Sequence, residues 1–135
     1  MSEILASTSS VLSRLFHSLD QSKYDVLVEC FALSGTWERQ GKLLRGRAEI
    51  SKALTSRVAT LHTIHILQNL LVDEASNQDA SVRFYLTVYR HDSASPPPYP
   101  VPSPAAVGLC KARFEKDGIA WQIKELQTGP YLFVS

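Results

Sequence analysis

Only two cysteines are present, Cys30 and Cys110. They stand far apart and outside any Cys-x-x-Cys, which argues against a disulfide framework or a zinc knuckle and predicts two small buried hydrophobes. Nor does one sign of charge prevail, because fourteen Lys plus Arg face thirteen Asp plus Glu, a formal charge of +1. No field then draws the protein onto nucleic acid or an anionic membrane, and neither is expected as a partner. No stretch reaches the ~20 apolar residues of a membrane helix, and the start, Met1 to Thr8, lacks a basic segment followed by an apolar run. A soluble, cytoplasmic protein is the expectation. Catalytic signatures are missing as well: there is no Gly-x-Ser-x-Gly, His-Glu-x-x-His, Walker loop or dinucleotide glycine fingerprint. With 135 residues, 44% of them hydrophobic, what is there suits one compact domain over 1–135 and leaves little for a second.

Helical spacing dominates the first third. Ile4, Val11, Leu12, Leu15, Phe16 and Leu19 recur every three or four residues, one face of a helix ending near Leu19. Tyr24, Leu27, Val28 and Phe31 predict a second helix in a tight hairpin with the first, Asp20 or Ser22 serving as its N-cap. Thr36 to Leu43 alternates weakly, as a short or edge strand does, and Gly46 introduces a third helix on which Ile50 and Leu54 pair at i,i+4.

From Thr60 the period becomes two. His62 to Asp73 reads as a long strand with His65, Leu67, Asn69 and Leu71 on one face and Ile64, Ile66, Gln68, Leu70 and Val72 on the other. Ser81 to His91 is its hairpin partner, with Val82, Phe84, Leu86 and Val88 opposite Arg83, Tyr85, Thr87 and Tyr89. The proline-rich segment 93–104 cannot supply the N–H groups of a ladder, so an exposed, extended loop is expected near a pocket mouth or a dimer edge. Ala106 to Glu115 and Ala120 to Gln127 form a last hairpin around Lys116-Asp117-Gly118. This order predicts an α+β fold, three N-terminal helices packed on a strongly curved, mostly antiparallel sheet. The side carrying Ile66, Leu70 and Val72 is too apolar for water and predicts a homodimer through the outer sheet face.

Candidate chemistry is positional. His65 and Asn69 share a strand face that is otherwise apolar, so they are either a satisfied core pair or part of a ligand pocket. Asp20, at the helix junction, reads as an N-cap. Tyr85, Thr87 and Tyr89 are sheet packing or ligand-orienting phenols and hydroxyls, and Trp37 and Trp121 fill a core or wall a cavity. Arg45-Gly46-Arg47 reads as a solvated turn. His62 and His65 point to opposite faces of their strand, so no metal site is expected.

The order of several weak motifs carries more. Ser18 to Leu27 (Ser-Leu-Asp-Gln-Ser-Lys-Tyr-Asp-Val-Leu), Gly35-Thr36-Trp37, Leu44 to Ile50 (Leu-Arg-Gly-Arg-Ala-Glu-Ile), His65-Ile-Leu-Gln-Asn69 and Trp121-Gln-Ile-Lys124 follow one another around paired long strands. From about Leu12 to Lys124 this resembles the SnoaL-like branch of the nuclear transport factor 2-like superfamily. The resemblance implies a cystatin-like cone with an internal apolar pocket, in a group that includes polyketide cyclases, ketosteroid isomerase and scytalone dehydratase. It implies that Asp20 matches the aspartate with which a dehydratase of this fold orients a histidine base, that His65 matches a pocket histidine, and that the partner base position falls on Tyr85.

The expected function is cofactor-free, metal-free proton transfer, as an isomerase, cyclase or dehydratase, on a small hydrophobic cyclic or polyketide-like molecule. His65, Asp20 and Tyr85 form the catalytic set, and Asn69, Trp37, Tyr24 and Trp121 touch the ligand. His65, Asn69, Asp20, Tyr85 and Trp37 are expected to converge on one cavity. The alternative is a non-catalytic ligand-binding or dimeric assembly module of the same fold.

Overall fold

The computed structural model describes residues 2–135. Helix α1 spans Ser2–Asp20, α2 Tyr24–Glu29 and α3 Gly46–Leu54. The inward stripe of α1 is the one its spacing predicts, with Leu12, Leu15, Phe16 and Leu19 all buried. Its end is a Schellman turn: Ser22 takes a left-handed φ of 58°, and the Ser22 and Lys23 amides bond back to the Leu19 and Ser18 carbonyls at 3.2 and 2.8 Å. Lys23 occupies the N-cap of α2 with no side-chain cap. Asp20 therefore caps nothing, and neither does Ser22, which corrects the N-cap reading of both.

The strands are β1 (Phe31–Arg39), β2 (Lys42–Arg45), β3 (Leu61–Ala75), β4 (Asp79–Asp92), β5 (Ala106–Asp117), β6 (Ala120–Thr128) and β7 (Tyr131–Val134). They form one sheet in the order β2-β1-β6-β5-β4-β3, with β7 paired to the start of β5. Pairing is antiparallel throughout except for β1 against β6. Phe31 opens a strand rather than closing the second helix, and β7 was not visible in the sequence because its residues alternate neither in polarity nor in burial. The sheet is curved and mixed, with the helices on its concave side. Among the described residues no helix is long and apolar enough to cross a membrane.

Strand β4 shows the period-two pattern plainly: Ala80, Val82, Phe84, Leu86 and Val88 are buried against the helices, joined by Phe31, Trp37, Cys110, Phe114, Ile123 and Leu126. In β3 the period breaks. Gln68 pairs with Tyr85 and Leu71 with Arg83, so three steps of β3 face two of β4. The bulge lies at Asn69, whose φ is +54°, a conformation asparagine adopts more readily than most residues. Beyond it the faces exchange. His65 and Leu67 point inward before the bulge, and Leu70 and Val72 pack on the core after it. The outer face instead presents Ile64, Ile66 and Leu71. The assignments of Asn69 to the inner face and of Leu70 and Val72 to the outer face are thus both corrected.

The start of helix α3 is held by one bond, in which the Arg45 amide donates to Glu49 Oε2 at 2.8 Å. Arg47 turns both Nε and a terminal nitrogen onto the Phe31 carbonyl, at 2.9 and 2.7 Å, so part of the basic turn is spent tying α3 to β1. The segment 93–104 has no regular structure and is largely exposed. It is anchored at Ser93, whose amide donates to the Thr60 carbonyl at 3.0 Å, and at Tyr99, whose ring lies 4.7 Å from that of His62 and 4.8 Å from that of His91, side by side on the outer face.

Candidate functional site

Between α1, the α3–β3 connection, the β1–β2 hairpin and the concave faces of β3 and β4 lies a cavity of about 820 Å³. Trp37, Leu86 and Val88 contribute apolar wall, and Thr63 and His65 come from β3. Trp37 is 1% exposed and its indole N–H donates to Thr128 Oγ1 at 3.2 Å, which fixes the ring as a wall rather than a movable gate. A smaller cavity of about 530 Å³ lies along the other side of α1, with Asp20, His17 and Ile66 among its walls. Phe16 and His65 belong to both.

Asp20 joins α1 to β3. The C-terminal turn of a helix disfavours a carboxylate through the macrodipole, and here three hydrogen bonds offset that. Oδ1 accepts the Thr63 hydroxyl at 2.8 Å and His65 Nδ1 at 2.5 Å, while Oδ2 accepts the His65 amide at 2.9 Å. Both side chains are nearly buried, at 12% exposure for His65 and 11% for Asp20. The His65 ring stacks on Phe16 with centroids 5.4 Å apart. With the carboxylate accepting at Nδ1, that nitrogen carries the proton, and the neutral ring then has its lone pair on Nε2, the arrangement of an oriented base. Nε2 has no hydrogen-bond partner among the described residues and is not sealed from solvent.

The network continues to Arg57, which donates to Thr63 Oγ1 at 3.1 Å and to the Leu19 carbonyl at 2.8 Å. Neither Thr63 nor Arg57 emerged from the sequence. Thr63 shares the His65 face two residues earlier, so its parity was the available signal. Arg57 sits in an irregular connection that carries none.

Five of the sequence-based candidates were expected to converge on one cavity: His65 and Trp37 line the larger one, Asp20 reaches it only through its hydrogen bonds to His65 and itself lines the smaller one, and the other two lie outside both. Tyr85 is 40% exposed on the outer face, because β4 alternates strictly and its inward positions are Phe84 and Leu86. Asn69 is exposed at the bulge. Neither can act in the cavity. Tyr24 and Trp121 are also absent from its walls. Tyr24 packs at the core margin with its hydroxyl 3.4 Å from Ser22 Oγ, and the Trp121 ring lies under Lys116, 5.6 Å from Nζ. Among the described residues no cluster of three His, Cys, Asp or Glu is placed to hold a metal ion.

The family model of the SnoaL-like domain matches residues 4–127. The chain belongs to the SnoaL-like domain family. No curated protein matches it, whereas solved structures do. A cystatin-like-fold protein of unknown function from Nostoc punctiforme is 18% identical with a TM-score of 0.76, over 91% of this chain and 87% of that one. An NTF2-like protein with a cystatin-like fold from Novosphingobium aromaticivorans is 17% identical with a TM-score of 0.76, over 93% and 82%. ActVI-ORFA from Streptomyces coelicolor is 13% identical with a TM-score of 0.81, over 96% and 98%. At such identities the likeness establishes the shared cystatin-like fold of this SnoaL-like protein, and its chemistry has to be argued from its own residues.

Proposed function

We propose that this SnoaL-like protein is a cofactor-independent acid–base catalyst, an isomerase, cyclase or dehydratase, acting on a small hydrophobic cyclic or polyketide-like molecule held in the larger cavity. The observation that carries this reading is the Asp20–His65 pair, a cavity-lining histidine oriented through Nδ1 whose Nε2 has no hydrogen-bond partner among the described residues. In that role Nε2 removes a proton from a carbon next to a carbonyl and returns it elsewhere on the ring system. Asp20 holds the tautomer and stabilises the imidazolium formed on the way. Thr63 holds Asp20, and Arg57 holds Thr63. Tyr85 has no part in this version, since it lies on the other side of the sheet.

The test is proton exchange into a cyclic ketone, 2-tetralone, followed by NMR in deuterated buffer with the wild-type protein and His65→Ala. Acceleration by the wild type that is lost in the variant supports the reading. Binding of the ketone with equal exchange in both proteins removes it and leaves the non-catalytic ligand-binding module.

We further infer a homodimer through the outer face. Ile64, Leu71 and Tyr85, at 56%, 50% and 40% exposure, place apolar surface where a second copy of the same patch can cover it. Because of the bulge, the residue to charge is Leu71 and not Leu70. Leu71→Glu should shift sedimentation from dimer to monomer with the melting temperature of the subunit little changed, and a wild-type protein that sediments as a monomer at micromolar concentration contradicts the interface.

A further inference from the structure

The larger cavity has a charge pattern that proton transfer at His65 does not call for. Arg39, Lys42, Arg57 and Arg90 line it, and no aspartate or glutamate does. Across the whole chain the charges nearly balance, so the excess is a local sorting. Arg57 is engaged with Leu19 and Thr63. Arg39 and Arg90 take part in none of the ion pairs among the described residues. The Arg39 guanidinium lies over the Trp37 ring, 4.7 Å from its centroid, which holds it on the wall. Tyr131 closes the same end of the cavity. Its ring rests where Gly108 has no side chain, since a Cβ there would come within 3.1 Å of it.

These groups sense one another. Burial lowers the Arg39 pKa, Arg57 and Arg90 push it the same way, and Tyr131 opposes them. Partial burial raises the Tyr131 phenol, and Arg39 and Arg90 pull it back. Guanidinium groups gathered on one wall repel one another, and an anion arriving between them relieves that repulsion. Guanidinium groups suit planar oxyanions in particular, because two parallel N–H donors match the two oxygens of a carboxylate. The remaining wall of Trp37, Leu61, Leu86 and Val88 is apolar, and the volume accommodates fused rings.

We propose that the cavity takes an organic anion, an apolar ring body bearing one carboxylate, with the carboxylate between Arg39, Arg90 and the Tyr131 hydroxyl and the ring reaching toward His65. This rests on the acid–base reading only for the placement of the ring at His65. The charged end orients the ligand, so that one ring carbon rather than several is presented to Nε2.

The experiment is calorimetric titration with 2-naphthylacetate and its neutral isostere 2-naphthylacetamide, on the wild type, Arg90→Gln, Arg39→Gln/Arg90→Gln and His65→Ala. The wild type should bind the acid at least about tenfold more tightly than the amide, the equivalent of about 1.4 kcal/mol. Arg90 is solvent-exposed, so Arg90→Gln keeps the fold and should lose part of that preference even where the double variant fails to fold. In a folded double variant the two probes should bind within about twofold of each other. Equal binding of acid and amide by the wild type, no binding of the acid, or an undiminished preference in Arg90→Gln overturns the proposal. His65→Ala separates it from the catalytic reading: a retained preference for the acid, with proton exchange the same as in the wild type, removes the catalysis and keeps the anion site.

Discussion

Asp20→Asn should lower proton exchange by roughly 10²–10⁴ while costing ~1–3 kcal/mol of stability. The amide that replaces the carboxylate has one donor end, and both placements of it fail. If the NH₂ faces His65 Nδ1, the imidazole must move its proton to Nε2 and loses the lone pair that makes it a base. If it faces the His65 amide, two donors oppose each other at the 2.9 Å separation that Oδ2 now bridges. Asp20→Ala should be more costly for stability, ~3–5 kcal/mol, since it leaves the Thr63 hydroxyl, the His65 amide and Nδ1 without their acceptor in a site that is nearly dry. Urea unfolding and the tetralone exchange rate, measured on the same samples, check both arms. An Asp20→Asn protein that exchanges at the wild-type rate shows that the carboxylate does not orient the base.

The buried thiols make a second large effect. Burial pushes Cys30 and Cys110 from the usual value near 9 up to about 11, with Arg14 partly offsetting this at Cys30 and a backbone hydrogen bond involving Gly129 doing so at Cys110. Between those values the unfolded chain releases thiol protons that the folded chain retains, so stability must fall as pH rises. It is intact below pH 9 and the loss is complete by about pH 11, amounting to roughly 2–3 kcal/mol for each thiol. Denaturant midpoints taken from pH 8 to 11 should fall steeply for the wild type and less so for Cys30→Ala and Cys110→Ala. Parallel slopes in all three proteins would show that other groups govern the alkaline limb.

Where one face is buried and the other wet, the sequence reported the structure well. Strand β4 is the clear case, with Val82, Phe84, Leu86 and Val88 inward as their period requires. Continuing that row by one step gives Arg90, a cavity residue on the same parity. Strand β3 behaved differently because it is apolar on both sides of Asn69, so a one-residue bulge left no break in the pattern to notice. That single residue displaced Asn69 itself, exchanged Leu70 for Leu71 on the outer face and moved the expected dimer patch with it. The pairing of Asp20 with His65 was reachable only through the resemblance, since local rules favour an aspartate after a helix as a cap. The arginine cluster was hidden for a different reason. Arg39, Arg57 and Arg90 come from three separate segments, and a net charge near zero conceals any sorting that occurs only in space.

The parallel pairing of β1 with β6 bears on how the molecule assembles in time. Trp37 on β1 reaches its partner Thr128 across 91 residues of chain, and apart from β6 its only neighbour in the sheet is β2. A contact of such sequence separation forms late, because the loop must close before anything rewards it. The long β3–β4 hairpin and the β4–β5 pairing are near neighbours in sequence and can form first, so the larger cavity acquires its Trp37 wall only in the closing step of folding. Until then β1 is an open edge able to pair with another chain. Stopped-flow refolding should therefore show indole burial at Trp37 lagging behind strand formation, and aggregation during refolding should be suppressed most by whatever speeds the docking of β6.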